Sequence, residues 1–321
     1  MKVTKEMLDP TLQGTYGAMT VLTWLGKRAW FRRLSDWSGR KIHQGQDIAG
    51  HDCDEKEVLS RDGSYRIRTR VYRPKGGEDK LPVMLYIHGG GYVMGYPEMW
   101  NETIQRFIET RACVVIAPDY RKAGVKPFPA GFDDCYDVLL WARDNADQLG
   151  IRSDRFIIAG HSAGGGLTAA VTLKARDTQD VDIAFQMPIY PMIDDQQPAD
   201  PERCIDSLVW DTEMNAFGWA CYLEELHRSG AEIPAYAAPA RNQDYQDFPP
   251  TITFVGDLEP FYWETCNYVE ALRQAGIDVA FEEYKGCYHG FDILGQGGIA
   301  DEAKEFTFNQ YADFYDRYVT L

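Results

Sequence analysis

From residue 82 onward, short apolar runs of strand length alternate with stretches whose apolar residues recur every three or four positions. The runs are Pro82–Ile87, Cys113–Ala117, Phe156–Ala159, Ala184–Ile189, Thr251–Val255 and Val279–Tyr284. Helical patterns fall between and after them, at about 98–110, 130–148, 163–176, 261–275 and 301–319. Strands separated by helices of this length predict an α/β domain with a parallel sheet covered on both faces. In such sheets the functional side chains collect at the carboxyl ends of the strands.

Three stretches depart from this rhythm. Glu57–Ser60 and Tyr65–Tyr72 flank Arg61-Asp62-Gly63, and Asp-Gly between two strand-like runs predicts a hairpin. Residues 1–50 carry large apolar side chains at roughly helical spacing, from Met7 and Leu8 through Tyr16, Met19, Leu22 and Leu25 to Trp37. They predict a helical cap segment. Residues 195–248 are rich in Pro, Asp and aromatics, with one helical stretch near Thr212–Leu226. The expected organisation is an N-terminal cap over 1–50 and one catalytic domain over 51–321, whose insertion at 195–248 contributes to the cap.

Composition narrows the picture. A chain of 321 residues, 45% of them hydrophobic, suffices for one sizeable core. No run of 18 apolar residues occurs, and Ala18–Leu25 is too short to span a bilayer and too late for a signal peptide. The seven cysteines (53, 113, 135, 204, 221, 266 and 287) are odd in number, scattered, and form no C-x-x-C pair. That argues against a disulfide framework and a zinc site, and points to reduced thiols in a cytoplasmic protein. A net charge of −16 disfavours nucleic acid and anionic membrane surfaces, both of which need a basic footprint.

The chemistry sits in the glycine-rich segments. Gly160-His161-Ser162-Ala163-Gly164 follows the strand Phe156–Ala159 and opens a helix, as G-x-S-x-G requires. The small residues are needed because the serine occupies a cramped strand-to-helix turn. His88-Gly89-Gly90-Gly91-Tyr92 follows the strand Pro82–Ile87, and its successive glycines let the backbone aim N–H groups at one point. Such donors stabilise the oxyanion of acyl transfer. The competing reading, a phosphate nest, lacks the Lys and Ser/Thr of a P-loop.

A serine nucleophile needs a base and an orienting acid. Of the histidines at 43, 51, 88, 161, 227 and 289, only His289 lies in the loop after the last predicted strand. After Thr251–Val255 two acids are candidates, Asp257 and Glu259, and the residues alone leave both open. The order Ser162, acid, His289 is that of the α/β-hydrolase fold.

The motifs His88-Gly89-Gly90-Gly91, Asp119-Tyr120-Arg121, Pro127-Phe128-Pro129-Ala130, Gly160-His161-Ser162-Ala163-Gly164-Gly165 and Tyr288-His289-Gly290-Phe291 resemble the hormone-sensitive-lipase-like (family IV) bacterial esterases. The resemblance covers about residues 80 to 320. It implies the α/β-hydrolase fold, with Ser162 attacking an ester carbonyl and His289 relaying protons. Gly90, Gly91 and Ala163 would supply the oxyanion N–H groups. The family reads Asp-Pro with an acidic residue four positions beyond the proline, and Glu259-Pro260 with Glu264 fits that frame. It therefore implies Glu259 as the acid, with Asp257 as the alternative. No cofactor and no metal are implied. The implied partners are a small-molecule ester and a second copy of the chain as a homodimer. Two departures stand out: His161 where the family usually has Asp, and Lys122-Ala123-Gly124-Val125-Lys126 after Tyr120-Arg121 in place of Leu-Ala-Pro-Glu.

Candidate pocket walls are Trp24, Trp30 and Phe31 in the cap, Tyr92 beside the oxyanion loop, and Trp210, Phe217 and Trp219 in the insertion. A crowded aromatic pocket favours acetyl to butyryl esters, and the resemblance points the same way. The function expected is a carboxylesterase. An amidase or formamidase with the same triad, and a ligand-binding protein on this scaffold, are the alternatives.

Overall fold

The computed structural model describes residues 1–76 and 80–320. Eight strands, β1 (His51–Leu59), β2 (Arg66–Pro74), β3 (Leu81–Ile87), β4 (Val114–Pro118), β5 (Ile151–His161), β6 (Ile183–Ile189), β7 (Thr251–Gly256) and β8 (Val279–Tyr284), form one sheet in the order β1-β2-β4-β3-β5-β6-β7-β8. The hairpin strands β1 and β2 pair antiparallel, as do β2 and β4, and the remaining pairs are parallel. The helices are α1 (Tyr16–Gly26), α2 (Ala29–His43), α3 (Asn101–Thr110), α4 (Ala130–Asp144), α5 (Ala146–Leu149), α6 (Ala163–Thr178), α7 (Thr212–Tyr222), α8 (Glu224–Ser229), α9 (Tyr262–Gln274), α10 (Phe291–Leu294) and α11 (Gly298–Tyr318).

The apolar runs are continuous because the central strands are covered on both faces. Along β3, Val83, Leu85 and Ile87 enter one core with α4 and α6, while Met84 and Tyr86 enter the other with α3 and α11. Strand β5 divides in the same way, Phe156 and Ile158 against Ile157 and Ala159. This is the period of two expected of a pleated strand, applied to a sheet with no solvated face.

Of the boundaries that differ from expectation, three have a plain local reason. Strand β1 starts at His51 rather than Glu57, because this edge strand buries only Val58 and so carries no apolar run. The helical stretch near 212–226 is two helices, α7 and α8, parted at Leu223. The helix expected at 130–148 is likewise broken at Asn145, which separates α4 from α5. Among the described residues no helix is long and apolar enough to cross a membrane.

Candidate active site

Strand β5 leads directly into Ser162, whose φ of 59° and ψ of −124° lie where side chains are rarely held. The turn is over-determined by its surroundings. The Ser162 N–H donates to Ile189 O at 3.0 Å, and its carbonyl accepts from Gly166 N at 2.9 Å and Met192 N at 3.1 Å. A Cβ on Gly164 would stand 2.1 Å from Ile87 O, so only glycine lets α6 start this close to β3. The hydroxyl thus sits at the carboxyl end of β5, beside the N-terminus of α6.

The loops after β7 and β8 are laced together. Asp257 N donates to Tyr284 O at 3.0 Å and Leu258 N to Cys287 O at 3.0 Å. Asp257 Oδ1 accepts from Gly286 N at 2.7 Å. These contacts set His289 over the serine, with Nε2 3.0 Å from Ser162 Oγ. On the other side of the ring, His289 Nδ1 hydrogen-bonds Glu259 Oε2. The other Glu259 oxygen accepts from Gly256 N at 3.2 Å. Of the two acids left open by the residues, Glu259 meets the imidazole and Asp257 fastens the loop that precedes it. Ser162, His289 and Glu259 are all buried. Nδ1–H donating to the carboxylate leaves Nε2 free to accept a proton from the serine hydroxyl.

The glycine loop after β3 faces this group. Gly90, Gly91 and Tyr92 have φ of 124°, 58° and 65°. Val93 N and Met94 N both donate to Gly90 O at 3.1 Å, closing the turn. The Gly90 and Gly91 amides have no acceptor among the described residues. Ala163 is the first residue of α6, so its amide has no intrahelical acceptor either. An arrangement of this kind can hold a developing oxyanion while the serine attacks.

The motif reading missed Tyr190 and Asp292 and gave His161 and Glu264 no contacts, and the structure buries all four near the site. The Tyr190 ring meets His289 edge-on at 4.9 Å, and its hydroxyl donates to Asp292 Oδ1 at 3.0 Å. Burial pushes the Asp292 carboxyl up to about 6, against the opposing pull of that hydrogen bond. Its place three residues after His289 was the available signal. His161 lies within reach of the Tyr86 hydroxyl, with Nδ1 2.9 Å away. Burial, with His289 nearby, depresses its pKa to about 3, so it is a neutral polar contact where the family has a carboxylate. Glu264, the second acid of the Glu259-Pro260 frame, accepts from Ile193 N at 2.7 Å. Burial raises its carboxyl well above the ordinary range, which makes it a clamp on the segment after β6.

The aromatic candidates separate into two groups. Trp210 packs so closely on the glycine loop that a Cβ on Gly91 would lie 2.1 Å from its ring. Trp219 and Tyr222 surround Tyr92, with ring separations of 5.5 Å and 4.0 Å. Trp24 is a correction, since it stands 57% exposed with the Arg28 guanidinium over its ring. Helical spacing turns Thr23 inward instead, where its hydroxyl accepts from Val209 N at 2.6 Å. Trp30 is also exposed, Phe31 packs edge-on against it, and Phe217 lies under Arg32.

Comparison with known proteins places this geometry in context. The alpha/beta hydrolase fold family matches residues 84–293. Esterase LipI of Mycobacterium tuberculosis is 32% identical over 247 residues, 75% of this chain and 75% of that protein. Carboxylesterase NlhH of the same species is 32% identical over 240 residues, 74% of this chain and 75% of that one. Among solved structures, a bacterial heroin esterase superposes with a TM-score of 0.85 at 28% identity, covering 97% of this chain and 99% of that one.

Proposed function

The chain belongs to the α/β-hydrolase-fold family and is a carboxylic ester hydrolase, and on that premise we propose that it cleaves short-chain acyl esters through an acyl-enzyme on Ser162. The observation that carries this reading is the hydrogen-bonded series from Ser162 Oγ through His289 to Glu259. His289 takes the hydroxyl proton as Oγ attacks the ester carbonyl, and the imidazolium formed is balanced by Glu259. The carbonyl oxygen becomes an oxyanion held by the amides of Gly90, Gly91 and Ala163. Collapse of the intermediate expels the alcohol, which takes its proton from His289. Water, deprotonated by the same imidazole, then hydrolyses the acyl-serine.

Acyl length is read from the aromatic packing at the oxyanion loop. Trp210 on Gly91, with Trp219 and Tyr222 around Tyr92, supports a site for acetyl to butyryl groups. Residues 1–50 and 195–248 form a cap in this reading, supported by contacts such as Val3 N to Asp206 O and Lys27 to Asp211. The unpaired thiols Cys113, Cys135 and Cys287, all buried, support a reducing, cytoplasmic setting.

The test is a series of p-nitrophenyl esters from acetate to decanoate, run with wild type and Ser162→Ala. Turnover highest at acetate to butyrate, abolished in the variant, is expected. A maximum at decanoate would remove the acyl-length assignment, and full activity in Ser162→Ala would remove the nucleophile.

A further inference from the structure

We propose that the outer face of α1 and α2 is a docking surface for an anionic lipid bilayer. The observation is an apolar stripe where a cap over a globular enzyme has no need of one. Helix α2 buries none of its residues completely. Trp30, Leu34 and Trp37 are 60%, 51% and 59% exposed. At about 100° of rotation per residue these three fall within about 60° of arc on α2, and Lys41 falls inside the same stripe. Trp24, exposed on the neighbouring α1, adds a third indole. Indoles beside cations are the side chains that settle at the level of lipid headgroups.

Charge selects the partner. Residues 16–43 hold six cationic side chains against Asp36 alone, a net charge of +5 within a chain of −16. Lys27 and Arg40 are engaged by Asp211 and Asp119. Arg28, Arg32, Arg33 and Lys41 form no ion pair among the described residues. Arg32 is partly covered as it lies over Phe217, whereas Arg28, Arg33 and Lys41 are exposed. The net charge of the whole molecule opposes approach only at long range. At physiological salt the Debye length is about 8 Å, so at contact the facing surface decides. In a two-fold dimer this face would meet itself and bring two surfaces of net positive charge together, which disfavours a second chain as its occupant.

The geometry also holds the face firmly. Arg40 donates to Asp119 at 2.7 Å and to Gly95 O at 2.7 Å, while Asp36 accepts from Gly95 N at 2.9 Å. Helix α2 is therefore fastened by polar contacts along one side, and its apolar stripe faces away from the domain.

The experiment is co-sedimentation of the full chain with vesicles of phosphatidylcholine alone and of phosphatidylcholine mixed equally with phosphatidylglycerol, with tryptophan emission recorded in parallel. Wild type is expected to bind the mixed vesicles with a blue shift, to release in high salt, and to bind phosphatidylcholine at least about tenfold more weakly. Arg33→Gln with Lys41→Gln is expected to weaken binding about 30-fold, and Trp30→Ser with Trp37→Ser to remove the blue shift. Thermal midpoints check folding, and if the serine pair unfolds, the glutamine pair decides alone. No binding of wild type to the mixed vesicles overturns the proposal, as does binding that neither pair weakens. It is equally overturned if sedimentation velocity finds a dimer that these substitutions disperse while vesicles bind nothing.

Discussion

Glu259→Gln is the substitution on which the chemistry turns. The carboxylate is buried, hydrogen-bonded to His289 Nδ1 on one oxygen and to Gly256 N on the other. Glutamine keeps the size but removes the charge that balances the imidazolium. Two unit charges about 4 Å apart attract by about 4 kcal/mol at an effective dielectric constant of about 20. An amide N–H turned toward Nδ1 would also stabilise the wrong tautomer. Loss of the equivalent acid in a serine-histidine pair costs about 10⁴ in kcat, or about 5.4 kcal/mol of barrier, so the two estimates agree within their precision. Asp257→Asn is the matched control. Its carbonyl can still accept from Gly286 N, so only charge assistance is lost, about 1 kcal/mol of stability. Steady-state hydrolysis of p-nitrophenyl butyrate, with thermal midpoints to verify folding, should give a loss of at least about 10³ for Glu259→Gln and under about tenfold for Asp257→Asn. The reverse order, or Glu259→Gln within tenfold of wild type, would refute the assignment of the acid.

Gly91→Ala should lower kcat by about 100- to 1000-fold, because a φ of 58° and a Trp210 ring 2.1 Å from the new Cβ must displace the amide; kcat within fivefold of wild type would count against Gly91 as an oxyanion donor. Asp292 has a folded pKa of about 6, above the unfolded value, so its contribution is fully present below about pH 4 and is lost as pH rises through 6. Asp292→Asn should therefore raise the thermal midpoint relative to wild type at pH 8 and give little gain near pH 4.5, and a gain equal at both would contradict the burial argument. His161 runs the other way: its folded pKa, about 3, lies below the unfolded value, so stability present above about pH 6.5 is lost as pH falls toward 3. Arg40→Met should cost about 2 kcal/mol in urea unfolding, less than a fully buried pair because Lys122 still faces Asp119, and should speed chymotryptic cut at Trp37; unchanged proteolysis would show that α2 is held by other contacts.

Much of the catalytic architecture was legible in the order of residues. The strand runs announced the sheet because both faces are covered, which leaves no polar face to interrupt them. Ser162 and the Gly89-Gly90-Gly91 loop were legible because their conformations admit few residue types. The start of the hairpin's first strand was not, since β1 is a solvated edge whose residues are fixed by pairing with β2 and not by burial. Trp24 was misjudged for a related reason. A helical pattern gives the period of apolar positions but not the phase in which the helix will be laid down.

The sequence by itself determined the class of chemistry, because a serine between glycines, a run of three glycines and a late histidine each follow a strand at local spacing. The residues alone left Asp257 and Glu259 open, and only the resemblance, through the Glu259-Pro260 frame, implied Glu259. In the structure, contacts between loops roughly 30 residues apart in the chain separate the two carboxylates: Asp257 accepts from Gly286 N, and Glu259 meets His289. Only the tertiary structure, likewise, gathered Tyr190, Asp292 and His161 around the histidine and serine, and turned Trp30, Trp37, Arg33 and Lys41 of α2 outward. Burial, contact and local charge are properties of the packed chain, and a net charge summed over residues carries none of them.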